Sequence, residues 1–114
     1  MRTIVLAAAF VAASVSLVQA GDVMASRYAN TTIVRSAKGV ETHLYYKADG
    51  TFTARERGGT FGGTWTVKDG TLCLTMIPPR PSLPNPECSP VSERKIGDTW
   101  KAAGYAVTIV PGIQ

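Results

Sequence analysis

The feature that most constrains this chain is a pair of Asp-Gly dipeptides, Asp49-Gly50 and Asp69-Gly70, each set between runs in which apolar and polar residues alternate. Glycine accepts positive φ at no steric cost, so Asp-Gly suits the tight turns whose twist matches paired strands. Before the first pair, Val40, Thr42, Leu44 and Tyr46 share one face, with Glu41, His43, Tyr45 and Lys47 on the other. Phe52 and Ala54 then point inward from Thr51 to Glu56, and Phe61, Gly63, Trp65 and Val67 do so from Thr60 to Lys68. After the second pair, from Thr71 to Ile77, Leu72, Leu74 and Met76 oppose Thr71, Cys73 and Thr75. A period of two with one oily face signals a half-buried strand.

The remaining chain follows the same rhythm. Thr31 to Arg35, Val91 to Arg94, Thr99 to Ala102 and Tyr105 to Val110 read as short strands. Turn signals such as Ala37-Lys38-Gly39, Arg57-Gly58-Gly59, Ile96-Gly97-Asp98 and Ala103-Gly104 recur roughly every 8 to 12 residues, the spacing of an all-β meander. We therefore expect an all-β fold: a small antiparallel up-and-down meander of seven to eight short strands, forming a barrel or strongly curved sheet. A two-sheet sandwich is the alternative. Its core would be Phe52, Phe61, Trp65, Leu44, Leu72 and Leu74, with Gly62-Gly63 marking a bulge or sharp bend. Residues 21–30 read as an N-terminal arm or a short helical turn with Asp22 as its N-cap. A barrel this narrow is expected to be filled by its own side chains.

The first 20 residues read as an export signal rather than as fold. Arg2 precedes an uncharged run from Ile4 to Val18, and Val18-Gln19-Ala20 ends on the small residue that signal peptidase accepts. The run is short of the roughly 18 to 20 apolar residues that span a bilayer, so no stable membrane anchor is expected after cleavage. No Cys follows it to take a lipid. The 94 residues left after Ala20 make one domain, residues 31–114 carrying the β structure. The formal charge of +4 becomes +3 without Arg2, and Lys and Arg are scattered rather than gathered in a stripe, which argues against nucleic acid as a partner.

Cys73 and Cys88 are the two cysteines. In an exported chain, an even count favours a bridge, here the one intramolecular pairing available. Periplasmic or secreted localisation is the expectation.

The runs Tyr46-Lys47-Ala48-Asp49-Gly50-Thr51-Phe52, Gly63-Thr64-Trp65-Thr66-Val67 and Asp69-Gly70-Thr71-Leu72-Cys73 resemble small exported bacterial proteins of unknown function. Those proteins share a G-x-W-x-V-x-D-G-x-L-C … C layout, and the resemblance implies a lipocalin-like β-meander outside the cytoplasm. A weaker resemblance is to periplasmic inhibitors of bacterial metalloproteases, through Gly63-x-Trp65, Cys73, Cys88 and Trp100. In that family the tryptophan strand comes near the mature N-terminus, whereas at least two strands precede Trp65 here.

Nothing in the residues assembles a catalytic site. His43, the single histidine, shares a strand face with Glu41 and Tyr45, but a metal site usually needs three or more ligands. It reads as solvent-facing. Asp49, Asp69 and Asp98 sit beside Gly in turns, where carboxylates cap backbone N–H groups. No serine occupies a nucleophile elbow and no glycine run opens a helix to cradle phosphate. The expectation is a non-enzyme without cofactor or metal.

The segment from Pro78 to Pro86 cannot supply the ladder of a central strand and reads as an extended loop. Its residues Pro79, Arg80, Pro81, Leu83 and Pro84 form the candidate partner-binding loop, since irregular loops on rigid scaffolds often carry binding. The expected function is an exported binding or structural module whose partner is another envelope protein. The alternatives are a lipocalin-like carrier of a small apolar ligand and a protease inhibitor.

Overall fold

The computed structural model describes residues 22–114, so the expected export signal lies outside the described residues. Eight strands form one antiparallel sheet: β1 (Thr31–Arg35), β2 (Glu41–Tyr46), β3 (Thr51–Glu56), β4 (Gly59–Lys68), β5 (Thr71–Met76), β6 (Glu87–Pro90), β7 (Thr99–Ala102) and β8 (Tyr105–Val110). Their order is β6-β5-β4-β3-β2-β1-β8-β7. The first six form a meander, and β8 closes back onto β1 with Thr32 opposite Ile109. The sheet is thus a nearly closed up-and-down barrel, interrupted once, between β6 and β7.

The turn chemistry follows the sequence. At Asp69-Gly70 and at Ala103-Gly104 both central residues have positive φ, as a tight hairpin requires. The Asp49 carboxylate accepts from the Thr51 N–H at 2.9 Å and from its hydroxyl at 2.7 Å, and Asp98 accepts from the Lys95 N–H at 2.9 Å. These hydrogen bonds to Thr51 hold the Asp49 carboxyl below its usual pKa.

Gly62-Gly63 produces no bulge. The pairing of β4 with β3 and with β5 is continuous, and the glycines sit where β4 passes from one partner to the other. The backbones approach so closely there that a Cβ on Gly62 would lie 2.8 Å from the Phe52 carbonyl oxygen. Curvature is achieved by removing side chains rather than by inserting a residue.

The predicted strand at Val91–Arg94 is corrected. Glu87–Pro90 pairs with β5 instead, placing Cys88 opposite Cys73, and the two form a disulfide. Cross-strand pairing to a bonded cysteine outweighs the β-propensity of a few residues just beyond it. The bridge indicates an oxidising compartment.

The core lies at one end of the barrel. Met24, Leu44, Tyr46, Phe52, Ala54, Leu72 and Met76 form its buried cluster, with Trp65, Phe61 and Leu74 packed against it partly exposed. A 3-10 turn, Ala25–Arg27, lies across this end, and Tyr28 bridges to Tyr46. Its N-cap is Met24 rather than the predicted Asp22; the Asp22 carboxylate instead accepts from the Met24 N–H at 3.1 Å. Trp65 seals the corner, its ring centroid 6.3 Å from that of Tyr46 and its Nε1–H donating to the Lys47 carbonyl at 2.9 Å.

Candidate functional site: the barrel interior

The inward period-two faces enclose a cavity of about 540 Å³. This corrects the expectation of a filled interior. The inward positions include Thr32, Thr42 and Ala102, which are too small to meet across the barrel. The middle of the wall is aliphatic, from Val34, Leu44, Leu72, Leu74 and Val107.

The two ends differ. The end beneath the 3-10 turn is closed by the core and carries Arg27, only 4 % exposed. Its guanidinium donates to the carbonyls of Val23 at 3.2 Å and Ser92 at 3.4 Å, and lies 5.5 Å over the Trp100 ring. Arg94 packs over the same ring at 4.4 Å. Burial, with the neighbouring Arg94 adding to it, pushes the pKa of Arg27 below its ordinary value, while Tyr46 and Tyr28 oppose the shift. No carboxylate pairs with Arg27 among the described residues. Thr32, 3 % exposed and lining the same cavity, has a hydroxyl with no hydrogen-bond partner.

The other end is the mouth, where Val40, Leu83 and Tyr105 line the opening while each remains more than a third exposed. Arg80 reaches in from the proline loop, 4.2 Å over the Phe61 ring and 3.4 Å from Glu56, whose other oxygen accepts from Thr42 at 2.6 Å. Asn85 anchors the loop, its side chain accepting from the Met76 N–H at 2.8 Å and donating to the Met76 carbonyl at 3.2 Å. Of the candidate loop residues, Arg80 and Leu83 therefore line the cavity mouth, while Pro79, Pro81 and Pro84 are exposed.

The loops at the two ends carry different charge. Those at the mouth, residues 36–40, 57–58, 77–86 and 103–104, hold Lys38, Arg57 and Arg80 and no acidic residue. Those at the closed end, residues 47–50, 69–70 and 91–98, hold Lys47, Arg94 and Lys95 against Asp49, Asp69, Glu93 and Asp98.

His43 stands on the outer face of the barrel, as predicted, with its side chain half-buried. Its side chain is covered by Gln114, whose main-chain oxygen lies 3.4 Å from Nδ1, 3.2 Å from the Tyr45 hydroxyl and 2.6 Å from Arg55. Glu41 sits 3.2 Å from His43 Nε2 and pairs with Arg35. Among the described residues, no cluster of three or more His, Cys, Asp or Glu stands ready for a metal ion.

Arg27 and Thr32 escaped the sequence reading. The alternation put Thr32 in a strand, but nothing marked its hydroxyl as unpartnered. A lone arginine in a turn carries no pattern. Comparison with known proteins matches the chain to no family model, no curated protein and no solved structure.

Proposed function

We propose that this protein is an exported, non-enzymatic binding module that holds a small, mainly apolar ligand inside its barrel. The observation that carries the reading is the mainly apolar cavity of about 540 Å³, floored by the core at one end and reached through the mouth at the other. Its size falls within the roughly 300–1,000 Å³ of typical small-molecule sites, which are likewise mostly apolar with a few placed polar groups. The leader-like first 20 residues and the disulfide support export. The resemblance to exported lipocalin-like proteins agrees with both. The proline loop then serves as one wall of the entrance, tied down by Asn85, instead of as a docking peptide for another envelope protein.

Native mass spectrometry and thermal-shift measurements with a panel of aliphatic alcohols, esters and acids test this. Binding at one ligand per chain is expected, with a raised melting temperature. Leu74→Trp should fill the middle of the cavity and abolish both effects while keeping the β-type circular dichroism. A bare mass and an unmoved melting temperature across the panel would refute the reading.

A further inference from the structure

We propose that the closed end of the cavity is an anion subsite, formed by Arg27 with Thr32, that receives the head group of a single-chain aliphatic carboxylate. The inference deepens the binding reading above and rests on it.

The first argument is an uncompensated buried cation. Ionised groups removed from water are normally paired, because desolvation is costly unless a counter-charge and hydrogen bonds replace the lost hydration. Arg27 is 4 % exposed, yet its described partners are two carbonyl oxygens and an indole face. A guanidinium has five N–H donors, so two such bonds leave capacity for an incoming acceptor. Arg94 on the same indole adds a second positive charge instead of a compensating one.

The second argument is the Thr32 hydroxyl. It is 3 % exposed, lines the same cavity near the end where β1 begins, and has no partner. A buried hydroxyl without a partner is rare in a folded protein, and one facing a cavity points to an occupant that hydrogen-bonds it.

The third argument is the field at the entrance. The mouth loops carry Lys38, Arg57 and Arg80; Glu56 at the rim pairs with Arg80, while Lys38 and Arg57 form no ion pair among the described residues and favour anions at the opening. Between mouth and floor Val34, Leu44, Leu72, Leu74 and Val107 give the wall an aliphatic stretch that suits a hydrocarbon chain, while the carboxylates of the lining are Glu56, paired with Arg80, and Glu87 at the start of β6. A carboxylate is the head group that matches a guanidinium fork with two coplanar oxygens, each keeping a further lone pair that can accept from a hydroxyl.

The test compares dodecanoate with dodecanol, which share a chain and differ in charge, by calorimetric titration of the processed protein. Dodecanoate is expected to bind about tenfold or more tightly than the alcohol, the size of a charge-assisted hydrogen bond. Arg27→Gln and Thr32→Val should each shrink that preference, and Arg27→Lys should restore part of it. Arg27 also ties the 3-10 turn to Ser92, so if Arg27→Gln fails to fold, the wild-type ratio and Thr32→Val decide the matter. Equal affinities in the wild type, or an undiminished ratio in Thr32→Val and a folded Arg27→Gln, would overturn the subsite and leave the cavity reading standing. If neither compound binds, both readings fall.

Discussion

Gly63 and Thr75 approach so closely that a Cβ on residue 63 would overlap the Thr75 carbonyl oxygen. The obstacle is backbone on a paired strand, which cannot yield as a flexible side chain can. Gly63→Ala is therefore expected to cost about 3 kcal/mol or more, the upper range for overpacking. Gly62→Ala meets the Phe52 carbonyl at 2.8 Å and should cost less. Urea denaturation of the two variants provides the comparison, and an equal or reversed order would contradict the geometry.

Replacing Cys73 and Cys88 together by serine releases a loop of 15 residues. In the chain-entropy description this lowers stability by about 3 kcal/mol. Denaturation midpoints of the double variant, and of the reduced wild type, should fall by comparable amounts. In a domain with a partly hollow core, that is a large share of a total of about 5–15 kcal/mol.

Tyr46 is buried, and burial pushes its phenol up to about 12. Because the folded pKa exceeds the ordinary value of 10.0, its contribution is fully present below pH 10 and is lost as pH rises toward 12. The loss is on the order of 2–3 kcal/mol for a shift of this size. Tyr46→Phe should flatten the alkaline limb of stability against pH, and tyrosinate absorbance in the wild type should show late-titrating groups. Tyr28 is also raised to about 12, by burial first and then by its hydrogen bond to Asp22, but its greater exposure makes its share smaller.

At acid pH the sign reverses. Hydrogen bonds from Arg35 and then His43 hold Glu41 below its ordinary value of 4.5. Its contribution is complete above that value and disappears as pH falls through the lowered pKa. Glu41→Gln should lower the urea midpoint slightly near neutrality and weaken its pH dependence below pH 4.5, so that variant and wild type converge in acid.

Asn85 substitutes for a strand at the end of β5, meeting both the N–H and the carbonyl of Met76. Asn85→Ala is expected to cost about 1–2 kcal/mol through the two lost bonds. It should also loosen the segment carrying Arg80 and Leu83. Faster proteolysis within residues 77–86 would report it.

Much of the fold was legible because alternation and turn chemistry agree. Thr31–Arg35, Thr51–Glu56, Thr99–Ala102 and Tyr105–Val110 have the bounds that the pattern predicts. Glu87–Pro90 was hidden because prolines flank it and its residues are mostly exposed; the cysteine opposite it, rather than its own propensity, makes it a strand. The cavity was hidden differently. Periodicity says which side chains face inward but not whether their volumes meet, and the small inward residues Thr32, Thr42 and Ala102 were the available hint. Arg27 became visible only when the turn carrying it was seen beneath the barrel. Its neighbour on the indole lies 67 residues along the chain, from Arg27 to Arg94.

The gap between β6 and β7 has a mechanical meaning. A hoop of hydrogen bonds closed on itself has a set circumference, and widening it breaks a ladder. Here the disulfide pins β6 to its neighbour, while Arg27 clasps the two lips, holding Ser92 on one side and stacking on Trp100 of the other. At that gap the wall is joined through this clasp and the 91–98 connection, and the seven ladders of the sheet are complete without it.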